Sequence, residues 1–450
     1  MIKLIIWLAY FLVIAFAGIW LFDNQGHITL QWLGYQIDTS VAFVILSLIF
    51  LGFITAILVS LIRNIFVKLP NKIQQKSAQN KLANGHQYLM QGFNALAAGD
   101  VKKAKKFADK SAKLLQYNNI INLLKAQIAI VAGNSGEAET YYKALAKNKD
   151  TKFLGNKGLI SQAIKNDTPN KALEIAEDLL ITNQKSDWLN ESVIDLALRQ
   201  EEYNKASKYL AHAKSKRSIN KQKYNEYTAV IKYLQAKNAL KKQADLEAAS
   251  LLQESIKHNT KFAPALFELH NLYVKAADKK QLNKFIKTHW ASLPNMNFAN
   301  SYLQNIEDNK PAKQIKLVSS LVKELDDPFS LWLKAKTYLA ANKLDDAKQA
   351  LNQAMQSFEG AEFCLFMADI EKLQGNVQSV KHWQDRAAFA NNKYGWQAQN
   401  SGKIYDSWQV FCNVTNIFND IGWVLINNTN QQSNLLQNHM SKNSKMLENF

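Results

Sequence analysis

The sequence predicts an all-α protein: an N-terminal transmembrane helical hairpin, then a superhelix of paired helices, then a small tail. Three observations carry this. Two long apolar runs flank a short loop that holds no Lys or Arg, in a chain with 55 of them. Alanine recurs every 34 residues in two parallel series. A segment rich in aromatic residues follows the last repeat.

The first run, Ile2 to Phe22, is interrupted only by Lys3, and the second, Val41 to Ile62, carries no charge. About 20 apolar residues at roughly 1.5 Å each cross a hydrocarbon core of about 30 Å. A soluble amphipathic helix would show a polar face, and neither run has one. Lys3 and Ala15-Phe16-Ala17 imitate a signal peptide, but the apolar run continues to Phe22. The expected boundaries are 1–22 for the first span, 23–40 for a periplasmic loop and 41–62 for the second span. Arg63, Lys68, Lys72, Lys76 and Lys81 follow the second span, so both termini are expected on the cytoplasmic side of a bacterial inner membrane. Residues 63–79 form a basic juxtamembrane linker suited to anionic lipid. In the loop, Ile28, Leu30 and Trp32 alternate with polar residues and Leu33-Gly34 offers a turn, a hairpin pattern, though a disordered loop fits the same residues.

Gly26, Leu30, Trp32, Gly34, Asp38, Thr39 and Ser40, between two spans and before a basic exit, resemble the amino-terminal region of the proteobacterial HemY family. That resemblance implies a tetratricopeptide region downstream and a link to haem or porphyrin metabolism. It does not imply the flavin protoporphyrinogen oxidase that has shared the name, because no G-x-G-x-x-G occurs.

Ala104, Ala138, Ala172 and Ala206 stand 34 residues apart, and nine residues before each stands Ala95, Ala129, Ala163 or Ala197. After an insertion of eight residues the register resumes at Ala239 and Ala248, then at Tyr273 and Leu282, with weaker units around Ala335/Ala347 and Ala368/Val380. Paired antiparallel helices approach closely only where small side chains meet, while neighbouring units supply the rest of the core. Turns are expected at Gly99-Asp100, Gly133-Asn134 and Asn166-Asp167. The pattern looks like a tetratricopeptide array of about eight units over residues 80–390. In that repeat type the second, fifth and ninth residues of each first helix face a concave groove. By that resemblance the partner-binding candidates are Gln127, Lys157, Ser161, Trp188, Glu191, Asp195, Tyr233, Lys237, Phe267 and Asn271. Trp188, Tyr233 and Phe267 are the expected anchors, beside both signs of charge. Packing against the next unit is the competing role for each ring.

Residues 396–423 are similar to the carboxy-terminal zinc ribbon of some tetratricopeptide proteins. Trp396, Gly402, Trp408 and Trp423 stand in register, but the ligand positions hold Ala398, Ser401, Cys412 and Thr415. Tetrahedral zinc takes four Cys or His ligands, so a degenerate ribbon over 393–424 without metal is expected. An unrelated aromatic segment is the other reading. Residues 425–450 are rich in Asn, Gln and Ser and are expected to be disordered.

No nucleotide-binding, zincin or hydrolase motif occurs, and the histidines stand singly outside any haem-attachment pattern. Neither a catalytic residue nor a cofactor is therefore expected. The net charge of +18 gives an RNA-binding repeat some support, yet Lys is interspersed with Asp and Glu, and no nucleic-acid partner is expected. The function read from the sequence is a membrane-anchored scaffold for protein clients, by resemblance enzymes of haem biosynthesis. An adaptor in lipopolysaccharide assembly, whose regulators resemble this layout with a single span, is the alternative. An enzyme acting on a tetrapyrrole is the third class.

Overall fold

The computed structural model describes residues 2–24, 26–63, 69–115, 119–390 and 392–426. They fall into two compact units, Met1–Ile128 and Ala129–Phe450. Of residues 425–450, expected to be disordered, Leu425 and Ile426 instead end a β-strand paired to Tyr394 and Lys393, and those from 427 onward lie outside the described residues, as does Lys68 of the basic linker.

In the first unit, helix α1 (Ile2–Asp23) leads into strands β1 (His27–Trp32) and β2 (Tyr35–Ser40), which pair antiparallel from His27↔Ser40 to Trp32↔Tyr35. The two-residue turn holds Leu33 and Gly34 at φ 51° and 88°. Positive φ at both central positions is what a tight hairpin demands, because its twist then matches that of the strands. Helix α2 (Val41–Arg63) follows directly, and its first amide donates to the Gly26 carbonyl at 2.9 Å. Among the described residues α2 is the helix long and apolar enough to cross a membrane, with mean hydropathy 2.9 and none of its length buried. The corresponding stretch of α1 is shorter, Phe11–Asp23.

Helix α3 (Leu69–Ala97) reaches back through much of the segment expected as a linker. Its one proline, Pro70, sits in the first turn, where the missing N–H is no loss. It packs with α4 (Val101–Leu114) and α5 (Asn119–Val131) around Leu89, Leu96, Ala104, Ala108, Ile121 and Leu124.

The second unit continues with α6 (Ser135–Lys147), α7 (Lys152–Lys165), α8 (Pro169–Thr182), α9 (Asp187–Arg199), α10 (Tyr203–Ser215), α11 (Lys221–Lys241), α12 (Asp245–His258), α13 (Ala263–Lys275) and α14 (Lys279–His289). Then come α15 (Met296–Ile306), α16 (Pro311–Leu321), α17 (Pro328–Ala340), α18 (Leu344–Ser357), α19 (Ala361–Leu373) and α20 (Val377–Phe389). Strands β3 (Lys393–Ala398), β4 (Ile404–Tyr405) and β5 (Ile421–Ile426) close the chain as an antiparallel sheet ordered β4-β3-β5.

The alanine series explains the pairing. Ala138, Ala172, Ala197, Ala206 and Ala248 are fully buried, and Ala163 and Ala239 nearly so. At the turn inside every pair except α15–α16 the chain enters the left-handed region: Gly99, Gly133, Asp167, Glu201, Gln243, Ala277, Asn342 and Gly375 have φ between 53° and 80°. The following amide then donates back into the first helix, as from Asp100 to Ala95, Thr168 to Ala163, Glu202 to Ala197 and Ala244 to Ala239, each at 2.9 Å. This is a Schellman closure, which satisfies a helix-end carbonyl. Each first-series alanine thus gives small volume to the crossing and a carbonyl to the turn.

Gly155 and Gly158 bring α7 onto α6. A Cβ on Gly155 would lie 2.3 Å from the Ala146 nitrogen, and one on Gly158 would lie 2.2 Å from the Tyr142 ring. The eight-residue insertion lies in α11, which has 21 residues where α9 has 13. α11 begins 18 residues before Ala239 and α9 begins 10 before Ala197, so the two added turns are residues 221–228.

Candidate functional site

The ten candidate residues all sit on first helices. Gln127 is half-buried on α5, in the first unit. On α7 and α9, Phe153 and Trp188 meet edge to face at 6.2 Å, and the Lys157 ammonium lies 5.1 Å from the Trp188 ring centroid. Such a cation over an indole contributes about 0.5–1 kcal/mol at an exposed site. Ser161 is exposed on the same helix as Lys157.

Glu191 and Asp195, one turn apart on α9, face the added turns of α11. Glu191 pairs with Lys223 at 2.6 Å, and the Tyr227 hydroxyl donates to Asp195 at 2.8 Å. Burial pushes the Asp195 carboxyl up to about 7, against the pull of that hydrogen bond and of Arg199. Lys237 reaches Glu268 at 3.4 Å, and Asn271, exposed on α13, contacts the ring of His270.

Tyr233 and Phe267 are engaged by the chain's own carboxy-terminal sheet. Trp408 lies edge to face against Tyr233 at 5.4 Å and against Phe262 at 5.3 Å. Trp396 and Trp423 meet Phe267 at 6.0 and 5.1 Å. Further along, Phe418 stacks on Tyr227 at 4.2 Å, and Phe411 lies under the Arg199 guanidinium at 3.8 Å. Arg199 donates to the Asn416 side chain at 2.8 Å, and the Asn419 amide donates to Glu226 at 2.8 Å. These partners lie about 130 to 220 residues away in sequence, and periodicity carries no trace of them.

Within the tail the four ligand-register positions do converge. Ala398, Cys412, Tyr405 and Ile421 share a small core. Ser401 Oγ stands 3.8 Å from the Cys412 sulfur, the Tyr405 hydroxyl 3.2 Å and the Thr415 amide nitrogen 3.5 Å. Burial pushes the Cys412 thiol up, but the Thr415 and Tyr405 donors outweigh it and bring it down to about 7. Asp420 accepts from the Asn400 amide at 3.2 Å and from Thr415 at 3.3 Å, which ties the two turns together. One thiol beside a methyl and two hydroxyls is not a zinc donor set. Hydrogen bonds and the packed Ala398 methyl surround the Cys412 sulfur at the centre of this small core.

Helix pairs at a 34-residue spacing, with small residues at each crossing and an aromatic and charged row along the first helices, define a repeat protein of the tetratricopeptide type. Its amino-terminal part is of the HemY kind: residues 26–133 match the family model described as the HemY protein N-terminus, as the loop residues led one to expect. The probable magnetosome protein Mms48 of Magnetospirillum gryphiswaldense is 27% identical over 115 residues. The match spans about a quarter of each, 26% of this chain and 25% of that protein. Among solved structures, Naa15/Naa10 bound to HypK-THB is similar over 75% of this chain and 63% of its own, at 13% identity and TM-score 0.38. A tetratricopeptide repeat protein from Parabacteroides merdae covers 68% of this chain and 99% of its own, at 11% identity and TM-score 0.33. Scores this low add nothing to the fold read from the helices themselves.

Proposed function

We propose that the protein is a scaffold anchored in the bacterial inner membrane by two spans, α1 and α2, with both termini cytoplasmic, holding protein clients on the first-helix row of its repeat array. The observation that carries this reading is the direct succession of an unburied apolar helix, a basic exit and an array whose first helices bear rings beside both signs of charge. An anchor confines a client near the bilayer and so raises its effective concentration there. Arg63, Lys68, Lys72, Lys76 and Lys81 would meet anionic lipid at the exit. The HemY-type segment supports clients of haem or porphyrin metabolism. The carboxy-terminal sheet, with its ribbon-like register, favours an adaptor in envelope assembly as the second reading.

The groove of this proposal comprises Gln127, Lys157, Ser161, Trp188, Glu191, Asp195, Tyr233, Lys237, Phe267 and Asn271. A photo-crosslinking amino acid at Lys157 or Ser161, in the full chain in its membrane, should give discrete protein adducts. The same probe at Lys208, exposed on second helix α10, should give none. Equal labelling at both places would remove the first-helix row from the function.

A further inference from the structure

The carboxy-terminal sheet meets the array in an unusual way for a terminal cap. It has a core of its own, Ala398, Tyr405, Cys412 and Ile421, separate from that of the array. Its hydrogen-bond network through Asp420 closes internally. The sheet's own rings at the join, Tyr394, Trp396, Trp408, Phe411, Phe418 and Trp423, are only half-buried, as are Tyr233 and Phe267 facing them, although Tyr227, Phe262, Phe329 and Phe358 on the array side are buried. A fused core would have driven these rings to full burial, as it does Trp290, Phe298 and Phe363 inside the array. A small core of its own, joined to the array by side chains that stay half-wet on the sheet's side and by a few polar contacts, describes a docked unit, of the kind that opens below the cost of global unfolding.

The eight-residue insertion in the repeat register coincides with the docking face. Tyr227 and Glu226, which hold Phe418 and Asn419, lie in residues 221–228, the two turns added to α11. Arg199, at the end of α9, adds the third contact by covering Phe411 and binding Asn416.

We infer that the carboxy-terminal sheet is a resident ligand of the groove, and that a client reaching Tyr233, Phe262 and Phe267 must displace it. This rests on the scaffold reading above. It also defines what such a client offers: a turn with two or more aromatic residues flanking an amide side chain, since that is what Trp408, Asn416, Phe418 and Asn419 present to the array. An aromatic pair adds about 0.5–1.5 kcal/mol beyond its buried area, so a segment carrying the same rings competes on equal chemical terms.

The test uses the full chain in membranes, with benzoylphenylalanine at Lys237, beside Tyr233 on α11. Three forms are compared: the parent, Phe418→Ala, and a form with Glu226→Cys and Asn419→Cys bridged by a short thiol cross-linker. The inference expects adduct yield at Lys237 to rise several-fold in Phe418→Ala and to fall several-fold in the bridged form, with Ser161 adducts unchanged in both. Hydrogen exchange should show β3 and β5 amides opening about tenfold faster in Phe418→Ala while α13 and α17 keep their protection. Adducts at Lys237 that ignore the bridge would overturn the inference and leave the scaffold standing. Strand amides that exchange only together with α13 would overturn it too, because the sheet would then be part of the array core. Adducts at neither Ser161 nor Lys237 in any form would overturn the scaffold reading and this inference together.

Discussion

At the scale of single residues, the left-handed turn is the recurring device. Gly99, Gly133 and Gly375 adopt it freely, whereas Glu201, Gln243 and Ala277 hold φ of 57°, 60° and 53° with a Cβ attached. The side chain then crowds the following carbonyl. Ala277→Gly should therefore raise stability by about 0.5–1 kcal/mol, the released crowding exceeding the added freedom of the unfolded chain. A thermal melt that falls would show that the Ala277 methyl contributes contacts worth more. The glycine turns were readable in the sequence because glycine announces positive φ; Glu201 and Ala277 carry no such mark, since the closure is imposed by the helices on either side.

Asp195 makes a second prediction. Its folded carboxyl titrates near 7, against an ordinary value of 3.8. Between those values the folded state keeps a proton that the unfolded chain has lost, so stability falls as pH rises through that window, and the cost of ionisation is fully present above it. Asp195→Asn still accepts from Tyr227 but cannot ionise. Its melting temperature relative to the parent should rise between about pH 5 and about pH 8. A difference that does not change with pH would mean that Asp195 is solvated as an ordinary carboxylate.

At the scale of elements, much of the array was legible and the tail was legible only in part. The alanine series predicted the helix crossings because close approach tolerates little else there, and Ala138, Ala172 and Ala206 are buried without exposed surface. The eight-residue slip was visible, but its location in α11 was not, since added helical residues carry no turn signal to mark them. The aromatic anchors Tyr233 and Phe267 were picked out by position. That Trp408, Trp396 and Trp423 lie against them depends on a fold that brings the two ends of the array's carboxy-terminal half together, and local pattern holds no record of it. In the tail, Ala398, Ser401, Cys412 and Thr415 meet around the Cys412 sulfur, a convergence that the resemblance alone suggested and that an accidental aromatic match would not have required. Elemental analysis of the purified full chain should find no stoichiometric zinc, because Ala398 offers no donor and the two hydroxyls are poor ones. One zinc per chain would mean that other side chains complete the set.

At the scale of the whole molecule, the proposed function needs a membrane-held array whose first helices receive proteins on the cytoplasmic side. The hairpin at Leu33-Gly34 is then the part that crosses, and its freedom from Lys and Arg has a cause, because basic residues resist translocation. The measurement that tests this most directly is a pair of compartment-sensitive reporter fusions in the full-length context, one after His27 in β1 and one after Ala83 in α3. The account predicts opposite compartments, with His27 outside and Ala83 inside. The same compartment at both positions would contradict it.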